Sequence, residues 1–256
     1  MNAEYAEVAG SNMSFNLLLV GPPKSGKTHL ASTGRGPHHW DMFDPGGDKI
    51  PSIQKGFREG RMTVKRWTSN MSNIKDPKMV GKMLTTYEAW IDDFDRKVSN
   101  GFFNNIGTYV IDSATTLLQR MMFSVTEYSK RKDHIPEWND YKLARLLMLR
   151  IVTVAADLPC DFIMIGHMTM DQDGITGRIR TSLNVFKSLK ADIPALFDDY
   201  YVTIAKSKSD GMHYEVLTRP EGDYDAGSRL GAGVLKAKEE ADLSKIIAKI
   251  EAANNE

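Results

Sequence analysis

Residues 21–28 read Gly-Pro-Pro-Lys-Ser-Gly-Lys-Thr, the complete G-x-x-x-x-G-K-[ST] pattern of a phosphate-binding loop, or P-loop. Gly21 and Gly26 allow the tight turn that directs successive backbone N–H groups at anionic oxygens. Lys27 would reach the β- and γ-phosphates of a nucleotide, and the Thr28 hydroxyl would ligate Mg²⁺. The sequence therefore predicts a site for ATP and Mg²⁺, and the alternative is a chance match.

The segments on either side of the loop suit this chemistry. Residues 15–20 form a short apolar run that predicts a buried strand, and a helix is expected from the loop to about Ser32. The positive end of that helix would face the phosphates. The residues expected to contact the nucleotide are Gly21, Pro22, Pro23, Lys24, Ser25, Gly26, Lys27, Thr28 and His29.

Asp112 is the second candidate metal ligand, because it ends the apolar strand predicted at 107–112. A carboxylate there typically holds the Mg²⁺ of a P-loop site, while the alternative is a helix N-cap or turn aspartate. Many P-loop ATPases, including those of the AAA+ type, follow this Asp with a Glu that activates the attacking water. Ser113 stands here instead, so the base must come from elsewhere or hydrolysis must be slow.

Two further polar residues follow predicted strands. Asp44 comes after the strand at 38–43, and His167 comes after the strand at 161–166. Because the carboxyl ends of parallel strands face the nucleotide, Asp44 could orient water and His167 could contact the γ-phosphate. The alternatives are a plain Asp-Pro-Gly-Gly turn and an ordinary loop histidine. We take Lys27, Asp44 and His167 as the candidate catalytic residues.

Composition sets the remaining bounds on the chain. Its 256 residues fit one α/β domain with additions or two small domains, and 33 basic and 33 acidic residues leave a formal net charge of zero. The total charge favours neither nucleic acid nor membrane. The single cysteine excludes an internal disulfide, and with no signal peptide or membrane-spanning run in the sequence we expect a cytoplasmic, reducing setting.

Strands alternate with helices over the first two thirds of the chain, which predicts a mostly parallel sheet flanked by helices. A hairpin is predicted at its C-terminal edge, from residues 200–205 and 212–217, whereas 168–186 reads as a long polar loop. The expected organisation is a flexible leader over 1–13, a core over 14–236 and a C-terminal surface helix within 237–256.

Taken in order, these motifs resemble the compact RecA-like P-loop ATPases encoded by bacteriophages. The resemblance covers roughly residues 14–230 and rests on the P-loop, Asp-Pro-Gly-Gly at 44–47, Ile-Asp-Ser-Ala-Thr-Thr-Leu at 111–117 and Gly-His at 166–167. It implies an α/β, RecA-like core and DNA-stimulated, Mg-dependent ATP hydrolysis. It also implies a role in phage recombination, single-strand annealing or replication. In RecA-like proteins the water-positioning carboxylate is usually Glu, and Asp44 stands in its place.

The resemblance implies further sites and partners. Two loops bind single-stranded DNA in this family, and the matching segments offer Lys130, Arg131, Lys132, Arg178 and Arg180. The alternative is ordinary solvated loops. Lys187 and Lys190 match lysines that reach a neighbour's γ-phosphate, which implies a homo-oligomer, either a ring or a filament. A single-strand DNA-binding protein is a further expected partner, and no membrane is expected.

Two other functions fit the same motifs. A nucleotide or small-molecule kinase would share the P-loop, although no arginine-rich lid is visible in the sequence. A nucleotide-gated scaffold with little hydrolysis is consistent with Ser113 and with Asp rather than Glu at position 44.

Overall fold

The structure is a computed structural model that describes residues 14–68, 86–128, 135–172, 177, 179–231 and 233–254. The predicted leader and the basic residues Lys130, Arg131, Lys132 and Arg178 lie outside the described residues. No helix of the described ranges is long and apolar enough to cross a membrane.

Strands and helices alternate along the described chain. The strands are β1 (Asn16–Gly21), β2 (His38–Met42), β3 (Met62–Arg66), β4 (Thr108–Asp112), β5 (Asp161–Gln172), β6 (Ile179–Leu183), β7 (Asp199–Lys208), β8 (Gly211–Leu217), β9 (Gly227–Ser228) and β10 (Lys238–Glu240). The helices are α1 (Lys27–Ala31), α2 (Pro51–Arg58), α3 (Thr86–Ser99), α4 (Ala114–Tyr128), α5 (Trp138–Ala156), α6 (Leu189–Ala195) and α7 (Leu243–Asn254).

One sheet with the strand order β10-β8-β7-β1-β5-β4-β2-β3 forms the centre of the protein. The adjacent strands β3, β2, β4, β5, β1 and β7 pair in parallel, in that order across the sheet. Strands β8 and β10 add antiparallel pairs at one edge. This architecture confirms the predicted fold class, including the hairpin at the C-terminal edge. The order also puts β1 and its P-loop beside β5, with β4 and β2 next in line.

Both faces of the central strands β1, β2 and β4 are buried, because their side chains alternate between two apolar cores. The first core holds Leu18 and Val20 of β1 and is covered mainly by helices α3, α4 and α5. The second core holds Leu17 and Leu19 and receives Leu243 from α7. Every residue of β1 is buried, so the strand that leads into the P-loop is held firmly on both sides.

The segment after β5 corrects the predicted polar loop at 168–186. Strand β5 continues to Gln172, and β6 returns antiparallel to it, so that the two form a hairpin beyond the sheet. Leu183 anchors this hairpin: its side chain is buried over Gly166, where a Cβ atom would lie 2.1 Å from Leu183 Cδ1. In β6 the alternation between buried and solvent-facing residues is short, so the sequence did not predict this strand.

Candidate functional site

The P-loop joins β1 to α1 in the conformation that its glycines require. Gly26 has a φ of 90° and Lys24 a φ of 63°, both in the left-handed region. A Cβ atom at Gly21 would lie 2.2 Å from Thr203 Oγ1, so only glycine fits at that position. Residues 22–26 therefore form the bends and turns that join the end of β1 to the start of α1 at Lys27, which is the strand, loop and helix order that the sequence predicted.

The loop is also tied to the neighbouring strand β7. Ser25 Oγ lies 2.5 Å from Thr203 Oγ1 and donates to the carbonyl oxygen of Pro22 at 2.8 Å. This role of Thr203 could not be predicted from sequence, because residues 178 positions apart give no local signal of their contact. Its buried hydroxyl fixes the P-loop against the sheet.

Lys27 and Thr28 are the first two residues of α1, at the end of the P-loop. Lys27 Nζ donates to the carbonyl oxygens of Gly21 and Pro22, each at 2.8 Å. Burial lowers the pKa of the Lys27 ammonium, although Asp112 and Asp44 act in the opposite direction. The carbonyl oxygens of Gly21 and Pro22 therefore hold the ammonium group inside the loop.

Asp112 ends strand β4 and faces the P-loop. Its Oδ2 accepts a hydrogen bond from Thr28 Oγ1 at 3.0 Å, so the two predicted metal ligands lie in direct contact. Burial, followed by the nearby Asp44 carboxylate, raises the pKa of Asp112 to about 6. A cation beside Asp112 would relieve both effects.

Asp44 lies two residues past β2 and is held by three side chains. Its Oδ2 lies 2.8 Å from His167 Nε2, and its Oδ1 accepts hydrogen bonds from the hydroxyls of Ser113, at 3.1 Å, and Thr116. Burial raises the pKa of Asp44, but the hydrogen bonds from His167, Thr116 and Ser113 outweigh it and hold that pKa below its usual value. Asp44 is thus ionised and oriented.

His167 lies in β5, between Asp44 and the helix that follows Asp112. It pairs with Gly21 across the β1–β5 register, and its backbone N–H donates to Thr115 Oγ1 at 3.2 Å. The three hydroxyls of residues 113–116 were not among the predicted site residues, although a run of Ser and Thr directly after a strand-end Asp is a signal that indicates them. The structure therefore brings Lys27, Thr28, Asp44, Asp112 and His167 together beside the carboxyl ends of the central parallel strands.

The site fits a nucleotide with its magnesium ion. Thr28 and Asp112 supply the hydroxyl and carboxylate oxygens that Mg²⁺ prefers. Among the described residues no group of three or more His, Cys, Asp or Glu side chains could hold a metal alone. A Mg²⁺ ion here would therefore share its ligands between these two residues and the phosphates of the nucleotide.

The remaining predicted site residues lie elsewhere. Arg180 is exposed on β6, Lys187 is exposed after it, and Lys190 Nζ forms an ion pair with Asp171 Oδ2 at 2.5 Å. Within the described part of the chain, no hydrogen bond or ion pair joins these three to the P-loop residues. The DNA-binding and trans-acting roles of these side chains therefore stay predictions.

The comparison with protein families agrees with this geometry. A family model described as AAA domain matches residues 14–230, a span that includes the whole P-loop and each of the strand-end residues. Among solved structures, a KaiC-like protein from the hyperthermophilic archaeon Pyrococcus horikoshii OT3 is 14% identical with a TM-score of 0.44, and the match covers 81% of this chain and 79% of that one. No curated protein matches the chain.

Proposed function

The chain belongs to the AAA domain family, and we propose that it binds Mg-ATP in the P-loop and hydrolyses it. We also propose that it acts on single-stranded DNA. The family membership supports nucleotide binding. Hydrolysis is supported by one observation above the others, which is the hydrogen-bonded pair of Asp44 and His167 beside Asp112.

The contacts of Asp44 leave it able to act on a water molecule. A carboxylate offers about four lone-pair positions, two on each oxygen. Two donors occupy Oδ1, whereas His167 is the one hydrogen-bond partner that the described residues supply to Oδ2. With 21% of its side chain exposed, Asp44 can receive a hydrogen bond from water at Oδ2. The carboxylate would orient that water and accept its proton as the oxygen attacks the γ-phosphorus, while the bond from the γ-phosphorus to the β,γ-bridging oxygen breaks and ADP leaves.

The neighbouring residues supply the rest of the chemistry. Lys27 and the backbone N–H groups of the loop place positive charge beside the phosphates, and His167 keeps Asp44 in a fixed orientation. Thr28 and Asp112 would hold Mg²⁺, which when bound neutralises charge on the phosphates. Asp is one methylene shorter than the Glu usual in RecA-like proteins, so we expect slow basal turnover.

Steady-state ATP hydrolysis by the Lys27→Ala variant tests the nucleotide site. Loss of the ammonium group should abolish turnover and weaken ATP binding, because the other lysine of the loop, Lys24, is exposed, whereas Lys27 is buried within it. Lys55→Ala removes an exposed lysine of α2 and is the matched control. Retained binding and turnover in Lys27→Ala would refute the assignment of the P-loop.

The DNA part of the proposal rests on the resemblance to phage RecA-like proteins and on the exposed hairpin of β5 and β6. We propose that a homo-oligomer, ring or filament, binds single-stranded DNA for phage recombination, annealing or replication, with a single-strand DNA-binding protein as a further partner. Replacing Arg178 and Arg180 with Ala should weaken binding and reduce the slope of log K against log salt by about 0.7 for each phosphate that is no longer neutralised. Unchanged affinity and slope would remove the hairpin from the DNA site.

A nucleotide-gated scaffold is the second candidate. Ser113 replaces the usual Glu, and three donors already engage Asp44. Such a scaffold would bind ATP tightly, change its oligomeric state and hardly turn over. Light scattering with ATP and with a non-hydrolysable analogue separates the two, since a scaffold responds equally to both and needs no turnover.

A further inference from the structure

A cleft of about 1080 Å³ opens at the end of the sheet opposite the nucleotide site. Its walls include the amino ends of three parallel strands, with Phe15 directly before β1, Asp161 at the start of β5 and Asp199 at the start of β7. Further along, β1 leads into the P-loop, β5 carries His167 and β7 carries Thr203. The cleft is therefore separate from the nucleotide site, and the same three strands contribute to both.

Asp161 is an enclosed carboxylate in the wall of this cleft, with 1% of the residue exposed. Its Oδ1 accepts hydrogen bonds from the backbone N–H of Phe15 at 2.9 Å and from Arg35 Nη1 at 2.5 Å. Its Oδ2 is buried and has no hydrogen-bond partner among the described residues. A buried carboxylate oxygen is costly to leave in this state, so Asp161 favours a ligand that donates to Oδ2.

Asp199 is a second buried acid in the same wall. It is 3% exposed, its Oδ1 also lacks a hydrogen-bond partner, and no lysine or arginine of the described ranges forms an ion pair with it. Burial raises the pKa of Asp161 to about 6 and raises that of Asp199, for which the hydroxyls of Ser228 and Tyr201 offset only part of the effect. A positive charge in the cleft would stabilise both ionised carboxylates.

The lining of the cleft carries more negative than positive charge. Its described ionisable side chains with a formal charge are four acids and two arginines: Asp161, Asp198, Asp199, Glu251, Arg35 and Arg229. Arg35 bridges Asp161 and Glu251. Arg229 pairs with Asp198. The arginines therefore leave a formal excess of two negative charges, which a ligand with two positive charges would balance.

The two buried acids are spaced by a strand. Because β1 lies between β5 and β7, and neighbouring strands are about 4.7–4.9 Å apart, the backbones of Asp161 and Asp199 lie on strands roughly 9–10 Å apart. Both side chains lie on the face of the second core, since they alternate with Phe162 and Tyr200 and share the parity of Ile163 and Tyr201. A ligand that contacts both acids must therefore extend across β1.

Apolar side chains line the path between the two acids. Phe15, which directly precedes β1, is buried in the second core and lies in the wall of the cleft. Ile247 and Ile250 of α7 form a second apolar wall. The middle of the ligand should therefore be a hydrocarbon chain, with its charged groups at the two ends.

We propose that this cleft binds an aliphatic diamine, with one ammonium group at Asp161 Oδ2, the other at Asp199 Oδ1 and the methylene chain against Phe15. An ammonium group is a compact charge with three donors, which suits single open carboxylate oxygens. Residues 1–13 carry two glutamates and no lysine or arginine, so their charge does not complement the cleft. The site is independent of the proposed ATPase and DNA functions.

Calorimetric titration of the nucleotide-free, full-length chain with cadaverine tests the site, and pentylamine is the matched monoamine. Physiological ionic strength suppresses loose association with exposed acids. Cadaverine should bind one-to-one and about 10- to 150-fold more tightly than pentylamine, because the monoamine leaves one carboxylate without a donor. Equal affinity for the two amines, or no binding of cadaverine, would overturn the proposal.

Two variants test the position of the ligand. Asp199→Asn should weaken cadaverine binding about 10- to 150-fold, whereas Asp95→Asn, which removes an exposed acid of α3, should bind it like the wild type. Ile250→Lys leaves both buried acids in place and adds an ammonium group to the cleft, so it should abolish cadaverine binding. Wild-type affinity for cadaverine in either Asp199→Asn or Ile250→Lys would overturn the proposal.

Sedimentation velocity separates a free diamine from a basic side chain of a second copy. A free diamine should leave the oligomeric state of the protein unchanged, and so should Asp199→Asn. Dissociation of copies by cadaverine and by Asp199→Asn would assign the cleft to self-association and overturn the inference. ATP binding should persist in Asp199→Asn, so failure of the diamine site and failure of the nucleotide site are read separately.

Discussion

At the scale of single residues, the ends of neighbouring strands decide the chemistry. Gly21 ends β1, Asp112 ends β4 and His167 follows within β5, so parallel pairing brings them together. The apolar runs of the sequence stop at or next to these positions, so all three could be predicted to face a nucleotide, although β5 itself continues past His167 to Gln172. The contacts of Thr116 and Thr203 could not be predicted, because these hydroxyls act only across the fold.

Replacement of Asp44 by Asn tests the water-positioning role. The variant keeps the size of the side chain but loses the negative charge, so ATP turnover should fall about 10²- to 10⁴-fold while ATP affinity stays within a few fold. Asp95→Asn, an exposed substitution on α3 that breaks an ion pair with Arg150, is the control. An unchanged rate in Asp44→Asn would remove Asp44 from the mechanism.

The pH dependence of turnover tests the contact between Asp44 and His167. Because the hydrogen bond from His167 helps to hold the pKa of Asp44 below its usual value, Asp44 stays ionised into the acid range. Replacing His167 with Ala should raise that pKa, so the acid limb of the rate profile should move to higher pH. An identical acid limb in both proteins would show that His167 does not control the ionisation of Asp44.

At the scale of elements, a buried carboxylate joins β2 to the structures around it. Asp41 is 1% exposed and accepts hydrogen bonds from Trp67 Nε1 at 2.7 Å, Trp90 Nε1 at 2.9 Å and the Tyr109 hydroxyl at 2.7 Å. These donors lie just after β3, on α3 and on β4. Asp41 therefore fixes the strand that carries Asp44 three residues later, a role that its place in an apolar strand did not reveal.

Acid unfolding measures the contribution of Asp41. Burial raises its pKa, but hydrogen bonding by His39 and Trp67 and the charges of His39 and Lys97 outweigh this and lower it to about 2. The folded pKa is below the unfolded one, so the stabilisation is complete above about pH 4 and is lost as the pH falls towards 2. Asp41→Asn should cost about 3–5 kcal/mol at neutral pH. The gap between the two proteins should narrow in acid, and a constant gap would contradict this account.

The segment from Met168 to Leu183 shows where prediction from elements fails. Its polar residues and turn formers indicated a loop, whereas pairing with β5 makes β6 a strand. The deciding contact is Leu183 over Gly166, which depends on the space left by a missing side chain. By contrast, the apolar spacing in α5 persists over nineteen residues, which is a pattern long enough to predict a helix from sequence alone.

At the scale of the whole molecule, composition alone said little. Equal numbers of acidic and basic residues favour no nucleic-acid partner, and exposed cations such as Arg180 and Lys187 are local features that a total charge does not report. The order of motifs along the chain was more informative, since it predicted the fold that the structure and the family match support. The proposed homo-oligomer stays a prediction, because its contacts would lie between two copies of the chain.

Steady-state ATP hydrolysis with and without single-stranded DNA tests the central claim most directly, with Lys27→Ala as the blank. We predict slow Mg-dependent turnover by the free protein and several-fold stimulation by DNA, because the hairpin adjoining His167 connects the proposed DNA site to the water-positioning pair. Tight ATP binding with no turnover in either condition would contradict the account and favour the nucleotide-gated scaffold.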